Sequence, residues 1–328
     1  VDEFDSIARH FRPLTANSPE ALRLLDDAAL LVPRRGFELV VTADAIVEGV
    51  HFLPDDPPQL VARKLLRVNL SDLAAKAAEP YGYMLTVAWS PAWDEARRAA
   101  FARGLGEDQA AFGLKLFGGD TVATPGPMTA SVTMFGWVPQ GRMVRRSSAK
   151  AGDVLLVSGT IGDGGLGLQA ARGELTGDGA DWLADRYRLP QPRLALRQAL
   201  LDRASAAADV SDGLLADAGH IGEASGVGIE VALENVPVSD AARSLLPAHP
   251  PGGGDERGWE GLLGLATSGD DYEIVCTCSP ERVAAFQAAA LKAGVIITVI
   301  GRVAEGQGVS ATFNGRPVDL DRLGWRHG

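Results

Sequence analysis

Val68-Asn69-Leu70-Ser71-Asp72-Leu73-Ala74-Ala75 lies inside a helical pattern that runs from Gln59 to Glu79. Asp72 stands at i+7 from Leu65 and i+4 from Val68, on the face that otherwise seeks the core. A carboxylate there persists when it is paired or holds a metal ion; a local cap shared with Ser71 is the structural alternative. Strand-like runs flank the helix, Glu38 to Thr42 before it and Met84 to Trp89 after it, and a second helix, Asp94 to Phe112, leads to the strand Thr129 to Val138.

Helical and extended segments alternate in this way to the end of the chain, which points to an α/β or α+β protein and excludes a bundle or a sandwich. Ala149-Lys150-Ala151-Gly152-Asp153 resets the pattern, so two domains are expected, 1–148 and 149–328. The second opens with the buried-strand run Val154 to Ser158 and a glycine-rich tight turn, Gly159 to Gly167, that lacks the ending of a P-loop. Leu194 to Arg203, Asp212 to Ser225 and Glu281 to Ala293 read as helices, Ile229 to Leu233 and Val295 to Ile300 as strands, and Pro247 to Gly258 as an exposed loop.

The 328 residues are 46% hydrophobic, enough for two buried cores, and 31 basic against 42 acidic side chains leave a formal charge of −11. That balance argues against a nucleic-acid or anionic-membrane surface, so a phosphate ligand must arrive with cations. Val1 to Arg12 does not read as a secretory signal, and a cytoplasmic protein is expected; the start without Met suggests trimming. Cys276 and Cys278 fall on one face of an alternating strand with Ile274 and read as core thiols.

Aspartates recur among small or turn-forming neighbours. Asp44 and Asp120 each follow an apolar run that reads as a strand, and Gly118-Gly119 would let backbone approach a ligand closely. In Asp209-Val210-Ser211-Asp212-Gly213, before a helix, Asp209 or Asp212 could hold a cation while Ser211 meets a phosphate oxygen; Ser211 or Asp212 could equally cap the helix. Two like charges about 4 Å apart repel by roughly 4 kcal/mol at an effective dielectric near 20. Converging aspartates that face a nucleotide therefore require divalent cations, and oxygen donors suit Mg²⁺. Arg146, in the basic segment Gly141 to Lys150, is the candidate phosphate fork, a solvated turn being the plain alternative.

In order along the chain, Glu3-Phe4-x-x-Ile7-Ala8, Asp26-Asp27-Ala28-Ala29, Gly49-Val50-His51-Phe52, Val68 to Ala75, Gly118-Gly119-Asp120-Thr121, Asp209-x-Ser211-Asp212-Gly213-Leu214 and Gly269-Asp270-Asp271-Tyr272-Glu273 resemble the thiamine-monophosphate kinases. The resemblance implies an α+β, two-domain aminoimidazole-ribonucleotide synthetase-like architecture: an N-terminal ATP/Mg domain whose sheet pairs in a homodimer, and a C-terminal α/β sandwich-type domain. It implies phosphorylation of thiamine monophosphate by ATP, with several Mg²⁺ ions, in thiamine diphosphate biosynthesis. By motif position Asp27, Thr42, Ala43 through its backbone, Asp44, Asp72, Asp120, Asp209 and Asp212 would form the metal shell, with Asp72, Asp120 and Asp212 central to the chemistry. Gly119, Asp120, Arg146 and Ser211 would meet the nucleotide, and His51, Asp270 and Trp325 the thiamine phosphate. Three departures from the family pattern stand out: Leu24-Leu25 where Gly is common before the aspartate pair, Ala43 for a hydroxyl residue, and Asp270 for Glu.

No nucleophilic triad is evident, which suits direct in-line transfer to an acceptor that is already an anion. Another ATP-dependent synthetase of the same superfamily is the alternative enzyme. A non-catalytic divalent-cation-binding protein is the alternative without turnover, and EF-hand spacing is absent.

Overall fold

The computed structural model describes residues 3–245 and 258–325; of the expected loop Pro247 to Gly258, positions 247–257 lie outside the described residues and Gly258 opens a helix. Two compact units emerge, Val1–Leu73 with Ala78–Arg142, and Ala74–Ala77 with Met143–Gly328.

The first unit opens with the short helix α1 (Glu3–Ser6) and continues through β1 (Phe37–Val47), α2 (Pro58–Ala75), β2 (Glu79–Trp89), α3 (Glu95–Phe112), β3 (Leu116–Ala123) and β4 (Thr129–Pro139). Its sheet has the order β1-β4-β2-β3, antiparallel except for the β2–β3 pair. Period-2 alternation gives the sheet two unlike faces. Val40, Ile46, Val132, Met134, Leu85 and Val87 are buried, whereas Leu39, Val41, Met84 and Val122 are exposed.

Helices α2 and α3 are tied by a buried ion cluster. Arg67 grips Asp108 with both arms, Nε to Oδ2 at 2.7 Å and Nη2 to Oδ1 at 3.1 Å, and Arg63 Nε adds a bond to Oδ1 at 2.9 Å. Asp108 is fully buried, and the two-armed geometry is what makes such a charge tolerable.

Two boundaries differ from the sequence expectation in ways that matter for the site. Helix α2 stops at Ala75 instead of Glu79, because Ala77 turns left-handed (φ 55°) and Glu79 already pairs with Trp137 in the sheet. Strand β1 does not end before Asp44 but runs on to Val47, paired with β4 along its whole length; Asp120 likewise lies inside β3. These two acids are therefore mid-strand residues and not strand-end residues.

The second unit contains β5 (Val154–Ser158), α4 (Asp163–Ala171), α5 (Ala180–Arg188), α6 (Arg197–Arg203), β6 (Ala206–Asp209), α7 (Leu214–Ser225), β7 (Gly228–Ala232), α8 (Asp240–Leu245), α9 (Gly258–Ala266), β8 (Ile274–Cys278), α10 (Val283–Lys292), β9 (Ile297–Ala304), β10 (Gly308–Phe313) and β11 (Arg316–Val318). Its mixed sheet has the order β11-β10-β7-β9-β5-β8-β6. Strand alternation sends Leu155, Val157 and Val275 into one core with α7, and Leu156, Ile274, Cys276 and Cys278 into another with α6 and α10. Both cysteines are buried free thiols. Among the described residues no helix is long and apolar enough to cross a membrane.

Replacing Asp108 by Ala leaves the Arg67 guanidinium buried without its two-armed partner. Urea unfolding is expected to show a loss of about 3–5 kcal/mol, and a loss below about 1 kcal/mol would contradict a buried, structural role for the pair.

Candidate functional site

In the first unit Thr42, Asp44 and Asp72 gather on the helix-facing side of the sheet, whereas Asp120, paired with exposed Thr86 between buried Leu85 and Val87, lies on the other face. Thr42 Oγ1 donates to Asp72 Oδ2 at 2.5 Å, joining β1 to α2. Asp72 stands in the last turn of α2, which ends at Ala75, and the contact of its carboxylate is to the Thr42 hydroxyl on β1. One turn earlier, Asn69 Oδ1 accepts the N–H of Asp44 at 3.0 Å, while Ser131 Oγ donates to the Asp44 carbonyl at 3.2 Å. Ala43 is exposed on the opposite side of the strand, opposite Thr133. Asp120 is exposed on β3 beside Thr86, which in turn neighbours Ser131. Next to it a Cβ at Gly119 would lie 1.7 Å from the Leu85 carbonyl oxygen, so only glycine permits this strand approach.

His51 accepts the Val47 N–H on Nδ1 at 3.1 Å, which puts the proton of the neutral ring on Nε2, a donor for an anionic ligand. Asp27 is exposed and donates its N–H to Asp26 Oδ1; no contact brings it to Thr42, Asp44 or Asp72 among the described residues. Just before it, where glycine is missing, Leu22, Arg23 and Leu24 all take positive φ (48°, 63° and 53°), a conformation that costs side-chain-bearing residues about 1–2 kcal/mol each.

In the second unit three backbone hydrogen bonds bring four candidates together. The Asp270 N–H donates to the Ser211 carbonyl at 2.9 Å, the Tyr272 N–H to the Val210 carbonyl at 2.8 Å, and the Trp325 N–H to the Asp212 carbonyl at 2.8 Å. Asp212 and Trp325 then line a cavity of about 580 Å³ with His220, Glu223 and Gln307. Asp209 is buried at the end of β6. Arg146 is anchored through its carbonyl by Ser225 Oγ at 2.8 Å, and its buried Nε has no hydrogen-bond partner among the described residues.

The helix after this loop begins at Leu214 instead of Asp212, and neither Ser211 nor Asp212 caps it. Asp217 supplies the acceptor instead, through one oxygen. Burial, reinforced by the nearby Asp212 charge, pushes the Asp217 carboxyl up to about 7, although the N–H groups of Asp212 and Ser211 and the Arg146 charge pull the other way. Ligand atoms of Asp212, Asp217 and His220 lie within 4.8 Å of one another, an oxygen-rich set compatible with a hard cation.

The Gly269-Asp270-Asp271-Tyr272-Glu273 segment is held by acids to which the sequence reading assigned no role. Asp271 accepts N–H groups of Gly162 and Gly164 at 2.8 and 2.9 Å, which pins the glycine-rich turn after β5. A Cβ at Gly164 would meet the Asp270 carbonyl at 2.3 Å, so the turn is glycine-rich for close packing and not for cradling phosphate. Glu273 is gripped by Arg193, bonded through Nε at 2.6 Å, by Arg186 at 3.3 Å and by the Ser158 hydroxyl at 2.6 Å. Between these anchors Asp270 and Tyr272 both take positive φ, 68° and 51°. The signal for such residues was present: Asp217 falls on the apolar face formed by Leu214, Ala218 and Ile221, the same anomaly that drew attention to Asp72.

Family models for AIR synthase related protein match twice, the N-terminal domain over residues 25–138 and the C-terminal domain over 150–314. A thiamine-monophosphate kinase of Caulobacter vibrioides is 55% identical over 99% of this chain and 91% of the relative. The chain belongs to the thiamine-monophosphate kinase family. Among solved structures, the thiamine-monophosphate kinase of Stenotrophomonas maltophilia K279a is 37% identical with a TM-score of 0.81, covering 95% of this chain and 97% of that one. AaThiL complexed with AMPPCP and TMP is 28% identical with a TM-score of 0.77, covering 92% and 91%. The two-domain α+β architecture expected of a thiamine-monophosphate kinase is the one observed.

Burial holds the Asp271 carboxyl well above the ordinary carboxylate range. A carboxyl of this kind contributes stability that is fully present below its unfolded pKa of about 4 and is lost as pH rises through the folded value. The stability of the wild type relative to Asp271→Asn should therefore decline as pH rises above about 4, by at most about 1.4 kcal/mol per pH unit. Chemical denaturation across pH reads this slope, and a pH-independent difference would contradict it.

Proposed function

We propose that this chain transfers the γ-phosphoryl group of ATP to thiamine monophosphate, giving thiamine diphosphate and ADP, with Mg²⁺ held by its aspartates. The observation that carries the reading is the split among its acids. Ion pairs among the described residues involve none of Asp27, Asp72, Asp120 and Asp212, whereas buried Asp108 and Glu273 are matched by arginines. Oxygen donors left without a protein cation fit Mg²⁺. The relatives named above, one of them in complex with AMPPCP and TMP, support the same substrates.

In this mechanism Asp72, Asp120 and Asp212 hold the ions, with Asp27, Thr42, the Ala43 carbonyl, Asp44 and Asp209 completing the set. When bound, Mg²⁺ supplies charge neutralisation on the transferred phosphoryl group. The Arg146 fork and the Ser211 hydroxyl orient the nucleotide phosphates, and Gly119 lets the backbone lie close to them. His51, Asp270 and the exposed Trp325 ring hold thiamine monophosphate, the aromatic face suiting its cationic thiazolium. An oxygen of the substrate phosphate attacks the γ-phosphorus in line as the bond to the β,γ-bridging oxygen breaks. That oxygen is already anionic, so orientation and charge neutralisation replace a strong general base.

The exposed face of the first sheet supports a homodimer. Leu39, Val41, Met84 and Val122 leave an apolar surface of the kind that pairing with a second copy would cover. Val41→Glu is expected to halve the molar mass measured by light scattering; a wild type that is already monomeric would contradict the pairing.

Thiamine diphosphate formation from ATP, Mg²⁺ and thiamine monophosphate tests the activity itself. Asp72→Asn and Asp212→Asn are expected to leave metal-free stability unchanged or raised, because each removes one of several repelling charges. Each should abolish most of the activity and most of the stabilisation by Mg·ATP, which at a hundredfold excess over Kd amounts to about 2.7 kcal/mol. A variant that unfolds without metal would instead assign that acid a structural role.

A further inference from the structure

Three consecutive N–H groups, those of Ser211, Asp212 and Gly213, point at one atom. Asp217 Oδ2 accepts them at 2.9, 3.0 and 3.2 Å. Convergent amides at the start of a helix form an anion-binding concavity, the feature that favours phosphate at such positions. Here the concavity is filled by a carboxylate of the helix's own first turn, and Asp217 is 1% exposed. The backbone of this loop is therefore committed before any nucleotide arrives, and ligands must be met by its side chains.

We infer that Asp217 is a positioning residue: by gathering these three amides on one oxygen it fixes the directions in which Ser211 and Asp212 present their side chains to the nucleotide and its cation. The inference rests on the function proposed above. Other contacts converge on the same loop. Its outer side carries the Asp270 N–H on the Ser211 carbonyl and the Trp325 N–H on the Asp212 carbonyl, so its path also sets where those two residues stand. A Cβ at Gly269 would lie 2.5 Å from the Ser211 carbonyl oxygen and one at Gly324 would lie 2.4 Å from that of Asp212, which leaves the loop little room to shift. The single accepting oxygen makes the idea separable from a charge effect. Asparagine can present one carbonyl oxygen to all three donors without the charge, whereas leucine, of similar size, presents none.

The experiment compares wild type, Asp217→Asn and Asp217→Leu in steady-state formation of thiamine diphosphate, varying Mg·ATP and thiamine monophosphate separately. Asp217→Leu is expected to lose about 100-fold in kcat/KM for Mg·ATP, with a smaller change in KM for thiamine monophosphate, and Asp217→Asn is expected to recover most of that loss. Equal impairment of the two variants, or a leucine variant close to wild type, would overturn the inference. If Asp217→Leu does not fold, Asp217→Asn decides alone: a folded asparagine variant that has lost its response to Mg·ATP overturns it, and one that keeps most of it supports it. A wild type that forms no thiamine diphosphate would sink the proposed function instead, a result distinct from any difference among the variants.

Discussion

A carboxylate withdrawn from water must be given something in return, and this constraint sorts the acids of the chain into two populations. Asp108 and Glu273 receive arginine forks. Asp217 and Asp271 receive backbone N–H groups, and Asp163 receives the hydroxyls of Thr160 and Ser239. These acids are spent on structure. Asp72 receives only a threonine hydroxyl among the contacts seen for it, and Asp120 and Asp212 remain partly or fully exposed without an arginine or lysine among the described residues. An acidic chain that matches these buried carboxylates with protein donors, yet leaves Asp72, Asp120 and Asp212 without a protein cation among the described residues, has the distribution of charge that the proposed cation role requires.

The structural acids serve the others. Asp217 shapes the Ser211–Gly213 loop, Asp271 locks the turn at Gly162 and Gly164, and Glu273 fixes the start of β8, so that Asp270 is held in a left-handed backbone conformation between two anchors. Strain of this sort persists where the surroundings over-determine it, and it clusters at binding sites. In the first unit the same economy appears with an amide: Asn69 takes the Asp44 N–H, and the helix that carries Asn69 also carries Asp72. Asn69 thus ties β1 to the helix that also presents Asp72.

Much of this was legible in the sequence. Period-3.6 and period-2 patterns place α2, α3, β4 and β5 close to where they lie, and Asp72 announces itself by standing on an apolar helix face. What escaped was set by partners distant in the chain. Nothing local to Thr42-Ala43-Asp44 says that the strand continues, because the continuation depends on β4 pairing through Asp44↔Val132 to Val47↔Thr129. The loop before α7 is a different case: its acceptor Asp217 lies close by in sequence and on an apolar helix face, but that one oxygen gathers three amides is visible only in the fold. Short strands such as β6 and β11 carry too few residues to declare a period.

The central claim is that acids remote in sequence bind the cations that accompany ATP. Crystals grown with Mn²⁺ in place of Mg²⁺ and a non-hydrolysable ATP analogue test it most directly, through the anomalous signal of the metal. The account predicts manganese at coordination distance, about 2.0–2.3 Å, from the carboxylates of Asp72, Asp120 and Asp212, with nucleotide phosphate oxygens among the remaining ligands. Nucleotide bound with those three carboxylates free of metal would contradict it.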